Sequence, residues 1–361
     1  MAHRYILTTP KTSIILTGKT GTGKSTLINQ IAGREVCPTQ GNSFRPTTMG
    51  ITEHKVGDVS YFDTRGLECQ QYARIEGELR TMIISREKTG NPNEFIHMAY
   101  ICIEDCSTVQ ECDISLSNFL ASHMKVLIVI TKAYSPMASG ESKDFLEAVQ
   151  KSIKQPVLRV NSIRKEIGGH PFEAHGIGDL VNWTLNSSGA AQQQAYAMAA
   201  DARHLSLNWK KKIGGSIVIT CSGLGGGAAA LPIPILDLIL AFAIIPAMVA
   251  GLNKLFGVEM SKMEIMEMLT TGLGISLSIG AIRLPLLLVA EALQFIPVVG
   301  QLAGGAIAAP IVASFINSIG NSQLNSLIRL YEVNPHQVPK FDQIVAELKK
   351  IWNARQNQGG E

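Results

Sequence analysis

Between residues 12 and 185, short apolar runs rich in β-branched residues alternate with longer stretches whose apolar positions recur at helical spacing. That alternation predicts an α/β domain: a mostly parallel sheet with helices on both faces. Strands are expected at 13–17, 51–56, 59–62, 98–103, 126–130 and 157–160. Helices are expected at 24–32, within 70–85, and at 113–122, 142–152 and 177–186. The second and third strands should form a hairpin turning at Gly57 and Asp58. Over 190–204 the chain turns to Ala and Gln, residues of high helix propensity, which predicts a connecting helix. The expected plan is a first domain over 1–188, a linker over 189–212, an apolar all-α domain over 213–335, and a C-terminal amphipathic helix and tail over 336–361.

The apolar domain has two readings. Residues 213–236, 238–253 and 292–328 carry no charge, and the last run exceeds the length that suggests a membrane span. Gly223 with Gly227, and Gly300 with Gly304, have the spacing that lets helices approach closely in lipid. Trp209 and Lys210, Lys211 and Lys212 form a positive flank. Against a span stand Asp237, Arg283 and the prolines at 232, 234, 246, 285, 297 and 310, which cut the runs into short helices. Membrane association is the expectation and a soluble apolar bundle the alternative; Asp237 paired with Arg283 fits both. Met260, Met263, Met266 and Met268 are expected to fill core space.

Composition narrows the partners. A net charge of +3 from 32 basic and 29 acidic residues provides no field for a nucleic-acid backbone, so nucleic acid is not an expected partner. Charged residues are 17% of the chain, against roughly 25% in average soluble domains, and the deficit lies in the second half. The six cysteines, Cys37, Cys69, Cys102, Cys106, Cys112 and Cys221, have neither disulfide-framework nor zinc-ligand spacing. Reduced thiols and the lack of an apolar leader in the first residues predict a cytoplasmic protein.

The chemistry concentrates at residues 18–25. Gly18, Lys19, Thr20, Gly21, Thr22, Gly23, Lys24 and Ser25 match GxxxxGK(S/T), follow an apolar strand, and open a helix through Thr26. Such a loop turns backbone N–H groups onto phosphates, places Lys24 on the β and γ oxygens and gives magnesium the Ser25 hydroxyl. Asp63 ends a strand, begins a DxxG and is assigned to the metal; Gly66 offers its N–H to the γ-phosphate. Thr48, or else Thr47, would reach the metal when a triphosphate orders its loop. The expected catalytic set is Lys24, Thr48 and Gly66, and the expected metal set Ser25, Thr48 and Asp63. Thr131, Lys132, Ala133 and Tyr134 occupy the place of the guanine motif (N/T)KxD, with Tyr134 where the aspartate would accept from guanine N1 and N2. Lys132 can lie along the purine, and Asn161 with Ser162 form the last expected base-contacting loop. Leu67 stands where a water-positioning glutamine is found, which predicts slow intrinsic hydrolysis. Gly21 stands where potassium-dependent enzymes carry asparagine, and Arg65 is expected to be salt-bridged on the surface.

Through GKTGTGKSTLIN, Thr47 and Thr48, DTRG and ITKAY, residues 12 to about 186 resemble the Era-like and immunity-related GTPases. AAALPIP at 228–234, Asp237, Phe256, Gly257 and Val258, and FIPVVG at 295–300 resemble a YcjF-type helical domain. The resemblance implies a GTP- and GDP-binding, magnesium-dependent switch coupled to a membrane-associated helical domain, with nucleotide-dependent self-assembly and an unspecified effector. The alternative is a catalytically weak G domain serving as an interaction module, which Tyr134 and Leu67 motivate.

Overall fold

A computed structural model of the protein describes residues 10–38, 50–64, 72–229, 234–273 and 304–358. The chain divides into two compact units, Met1–Leu205 and Ser206–Glu361.

In the first unit, β1 (Thr12–Thr17) is buried along its whole length, with Ile14, Ile15 and Leu16 fully removed from water. A strand apolar on both faces requires cover on both faces, the condition at the centre of a parallel sheet. It runs parallel to β3 (Val59–Thr64) on one side and β4 (Met98–Glu104) on the other. The sheet continues through parallel β5 (Lys125–Thr131) and β6 (Val157–Arg159), and its opposite edge is β2 (Ile51–Val56), antiparallel to β3. Gly57, at a φ of 58°, makes the β2–β3 turn. The expected fold class is observed, and the strands and helices expected between residues 12 and 186 are present with ends displaced by at most two residues, whereas the helix expected over 190–204 ends at Ala199.

One face of the sheet packs on α2 (Tyr72–Glu87), α3 (Glu111–Ala121) and α4 (Glu141–Ser152). Ile75, Leu79 and Ile83, then Leu116 and Leu120, then Phe145 and Val149 repeat at four-residue spacing, and all seven enter the core with Ile15, Ile101 and Ile128. The other face holds α1 (Lys24–Ala32), α5 (Ile177–Ser187) and α6 (Ala190–Ala199).

The last of these helices departs from the expectation. Residues 190–204 do not act as a connector but complete the first unit. Tyr196 of α6 is fully buried, its hydroxyl 3.4 Å from that of Tyr100, which in turn lies 2.6 Å from Thr184 Oγ1. Thr12 Oγ1 donates to the Gln192 carbonyl, Asp201 N–H to the Ile31 carbonyl, and a 3-10 turn at Ala202–His204 places His204 Nε2 3.1 Å from the Gln30 carbonyl. The small side chains of Ala195, Ala197 and Ala199 are buried beside Tyr196, so the Ala-rich stretch is a close-packed cover. A second, unexpected element is the hairpin of β7 (Lys165–Ile167) and β8 (His170–Phe172), turning at Gly168 and Gly169 with φ of 59° and 79°. Two left-handed residues in a two-residue loop match the twist of a hairpin.

The second unit contains α7 (Leu207–Ala229), α8 (Pro234–Leu255), α9 (Lys262–Leu273), α10 (Gly304–Val333) and α11 (Phe341–Gln358). Helix α10 packs on α7, α8 and α11, and α9 on α8 and α11. Gly320 lets α10 approach closely: a Cβ there would lie 2.8 Å from both Met248 and Val218 side-chain atoms. The expected basic flank is split. Lys210 is buried, donates to the Leu255 carbonyl at 2.9 Å and lies over the rings of Phe256 and Tyr331. Lys211 pairs with Glu332, and Lys212 lies over Trp209. The core-filling expectation holds for buried Met268 and fails for Met263, which is 81% exposed at the start of α9. Among the described residues no helix is long and apolar enough to cross a membrane. Arg283, and so its expected pairing with Asp237, lies outside the described residues, as do 230–233 and 292–303 of the uncharged runs.

Candidate nucleotide site

The loop after β1 crosses the carboxyl ends of the parallel strands, where open α/β sheets bind ligands. Its first glycine is dictated by the protein itself. Gly18 has a φ of 141°, and a Cβ there would stand 2.1 Å from the Cys102 carbonyl oxygen of β4. Gly21 and Gly23 differ: their φ values are 78° and 88°, and among the described residues a Cβ on either would meet nothing within 4 Å. Those two glycines border open space, as a loop that admits a ligand against its backbone requires. Gly23 is also the N-cap of α1 and supplies no side-chain cap, so the helix's positive end faces the loop.

Lys24 is the first residue of α1 and is 6% exposed. Its Nζ donates to the Gly18 and Lys19 carbonyls, both at 2.9 Å, which hold the ammonium within the curl of the loop. Thr22 Oγ1 donates to the Lys19 carbonyl, and Lys19 Nζ reaches the Thr108 carbonyl at 3.3 Å. Thr20 lies exposed on the loop, and Thr26 continues the helix. Ser25 Oγ donates to Asp63 Oδ2 at 2.6 Å.

Asp63 is buried at the end of β3, and among the described residues its Oδ1 has no hydrogen-bond partner. Burial raises its pKa, against the opposing pull of the Ser25 hydroxyl and the Lys24 ammonium. A buried carboxylate oxygen with no donor, beside a hydroxyl, suits a hard cation with oxygen ligands, and magnesium fits this donor set. Cys102 lies beneath the loop, and burial pushes its thiol up to about 12, so it remains protonated and inert. Thr47, Thr48, Arg65, Gly66 and Leu67 lie outside the described residues.

At the other end of the site, each residue from Thr131 to Ser135 is held. Thr131 Oγ1 donates to the Ile103 carbonyl at 3.2 Å, so this hydroxyl braces the sheet rather than facing a base. Lys132 has a φ of 54° and pairs with Glu104 at 3.0 Å. Ala133 N–H donates to the Val160 carbonyl, and the Ala133 carbonyl lies 2.7 Å from His175 Nε2. Tyr134 packs on Phe172 of β8 and accepts from Lys165 Nζ at 3.1 Å. The Ser135 carbonyl accepts from Arg159. Asn161, expected to contact the base, is buried: its Nδ2 donates to the Glu173 carbonyl and its backbone pairs with His175. Ser162 remains half-buried beside it. The reading of the sequence passed over Asp105, Ser142, Arg159 and His175, which position this loop; a charge within the apolar run of β6 was the available signal for Arg159.

Residues 13–132 match the family described as 50S ribosome-binding GTPase. No curated protein matches the chain. Among solved structures it is similar to a probable GTP-binding protein engB, at 18% identity over 42% of this chain and 89% of that one, with a TM-score of 0.31. It is similar to the Septin GTPase domain from Chlamydomonas reinhardtii at 14% identity, 45% and 85% coverage and a TM-score of 0.32. Era from Aquifex aeolicus, in a variant bound to GDP.AlF4-, aligns at 14% identity over 49% of this chain and 56% of that one, with a TM-score of 0.35. Over residues 13–132, the chain carries a GTP-binding P-loop G domain of the GTPase family.

Proposed function

We propose that the protein is a magnesium-dependent GTPase switch whose nucleotide state acts on the helical unit that follows in the chain. The observation that carries this reading is the pair at the metal position: Ser25 hydrogen-bonded to a buried Asp63 whose second oxygen has no partner among the described residues. Bound magnesium nucleotide supplies an electrophilic γ-phosphoryl group with its charge partly neutralised. The loop N–H groups and the end of α1 hold the phosphate oxygens, and Lys24 exchanges the Gly18 and Lys19 carbonyls for the β and γ oxygens. Ser25 and Asp63 hold the metal. Thr48, with Thr47 as the alternate, and Gly66 are assigned to sense the γ-phosphate. Leu67 carries no group that orients water, so intrinsic hydrolysis is slow. The stem of Lys132, with Ser162, is assigned to the purine. For the second unit the proposal includes kinship to YcjF-type domains, cytoplasmic association with a membrane surface, and nucleotide-dependent assembly as in immunity-related GTPases, with an effector of unspecified class.

Phosphate release with GTP and magnesium tests the enzyme: turnover is expected in the wild type and lost in Lys24→Ala. Wild-type protein that turns over no nucleotide at any density refutes it. Liposome flotation with a non-hydrolysable GTP analogue and with GDP tests the coupling, which fails if both states float alike and assemble alike. A second reading is favoured by the engagement of Tyr134 with the β7–β8 hairpin: a G domain that binds nucleotide structurally while the helical unit assembles. Equal affinity for GTP, GDP and ATP, with no nucleotide effect on oligomer size, would establish it.

A further inference from the structure

The loop at 131–135 is preformed, because each of its residues is hydrogen-bonded, ion-paired or ring-packed to a neighbouring element. Its recognition edge is therefore read from the groups it already presents. At the fourth position of the (N/T)KxD pattern a carboxylate would offer only acceptors, matched to the N1–H and 2-amino donors of guanine. Here the position holds the Tyr134 phenol, and Lys165 of β7 donates to the phenolic oxygen at 3.1 Å. A phenol has one O–H and two lone pairs, and an ammonium has three N–H donors and no acceptor. With one lone pair taken by Lys165, the Tyr134 O–H is directed elsewhere, and two N–H donors remain on Lys165. The pair is donor-rich where a guanine edge needs acceptors. Neither carboxylate at the end of β4 replaces the missing one: Glu104 is paired with Lys132, and Asp105 with Arg159 and Ser142.

A guanine 2-amino group brought against donors loses its water without gaining a partner, which costs affinity. A purine with a carbonyl at C2 meets the same donors favourably. We infer that this edge disfavours the 2-amino group of guanine and favours a C2 carbonyl, so that xanthosine triphosphate binds at least as tightly as GTP. Xanthine is also more acidic than guanine, and the Lys165 ammonium attracts its anion. The inference rests on the reading of the P-loop as a nucleotide site and assigns Tyr134 and Lys165 as its specificity-determining residues.

Titrations of the full-length chain with XTP, ITP and GTP in magnesium test it. XTP is expected to bind at least as tightly as GTP, and ITP, which lacks the amino group, no more weakly than GTP. Tyr134→Asp restores acceptors and is expected to move the XTP-to-GTP affinity ratio by roughly 100-fold toward GTP, the order that charge-assisted hydrogen bonds supply. Lys165→Gln is expected to weaken XTP by about tenfold and leave ITP unchanged. Tyr134→Phe keeps the ring on Phe172 and separates loss of the hydroxyl from loss of packing. If Tyr134→Asp fails to fold, the wild-type ratio decides alone. Wild-type protein that binds GTP more than about tenfold tighter than XTP overturns the inference and leaves the P-loop reading intact. Wild-type protein that binds none of the three, with Lys24→Ala no different, overturns the P-loop reading itself.

Discussion

The most informative perturbation is at the ion pair that braces the loop after β5. Arg159 Nη1 and Nη2 each lie 3.2 Å from an oxygen of Asp105, and both side chains are only 10% exposed. Ser142 Oγ donates to Asp105 at 2.7 Å and accepts from Arg159 Nη1 at 2.7 Å, while Arg159 Nη2 also donates to the Ser135 carbonyl at 3.1 Å. The pair thus joins the end of β4, the start of α4, β6 and the loop. Removing one partner of such a pair leaves the other charge buried without compensation, at a cost of about 3–5 kcal/mol. Replacing both removes the uncompensated charge and costs much less. Arg159→Met is therefore expected to destabilise the first unit by about 3 kcal/mol, Asp105→Asn by a similar amount, and the double variant by clearly less than their sum. Amide hydrogen exchange of the buried β4 and β5 segments reads the global opening of this unit separately from the helical one. Nucleotide affinity should fall in each single variant, because the Ser135 carbonyl and the loop lose their anchor. Additive single effects, with a coupling under about 0.5 kcal/mol, would refute the reasoning.

Three further outcomes follow from the phosphate end. Gly18→Ala places a methyl 2.1 Å from the Cys102 carbonyl, which no side-chain rotation relieves, so a loss above about 3 kcal/mol is expected. Gly23→Ala, with open space at its Cβ, should cost only the ~1–2 kcal/mol of left-handed strain; equal melting temperatures for the two would contradict the geometry. Burial lifts the Asp63 pKa above its ordinary 3.8, so the folded nucleotide-free protein holds this proton more tightly than the unfolded chain. The stability contributed by the group then declines as pH rises from 3.8 through the folded pKa, and magnesium competes with the proton over the same window. Magnesium-dependent nucleotide binding should strengthen as pH rises from 3.8 through the raised pKa of Asp63, and this dependence should vanish in Asp63→Asn. Cys102, pushed up to about 12, should resist iodoacetamide in the native protein and react only after denaturation, as peptide mass mapping would show.

The legible parts of this protein are those whose physical cause is local. The phosphate loop is spelled in adjacent residues because its requirements are backbone requirements: positive φ at Gly21 and Gly23, no side chain at Gly18, and Lys24 and Ser25 at the start of a helix. The sheet was legible because β1, β4 and β5 are buried on both faces and so must be continuously apolar. The role of α6 was not, since Ala and Gln suit a connector equally well, and its partner β1 lies 180 residues earlier at the Thr12–Gln192 contact. The β7–β8 strands are three residues each and largely exposed, so only the Gly168 and Gly169 pair signalled a turn. In the second unit an uncharged run serves lipid and bundle alike, and the burial of Lys210 against Leu255, Phe256 and Tyr331 was invisible in a string of three lysines.

The base end of the site was the least legible, for a reason that bears on function. Asn161 has the right chemistry to meet a purine, but residue type does not reveal that Glu173 has already taken its amide hydrogen. Thr131 is likewise committed to Ile103, and Tyr134 to Phe172 and Lys165. These commitments are tertiary and come from separate segments, whereas the phosphate loop depends on its own eight residues and on the ends of β3 and β4. The Tyr134 position shares no hydrogen bond with Gly18, Lys24, Ser25 or Asp63 among the described contacts. A change there can therefore alter which base is admitted while leaving phosphate and metal binding in place. The two ends of the site are physically separable, and an intact P-loop is evidence for a triphosphate rather than for guanine.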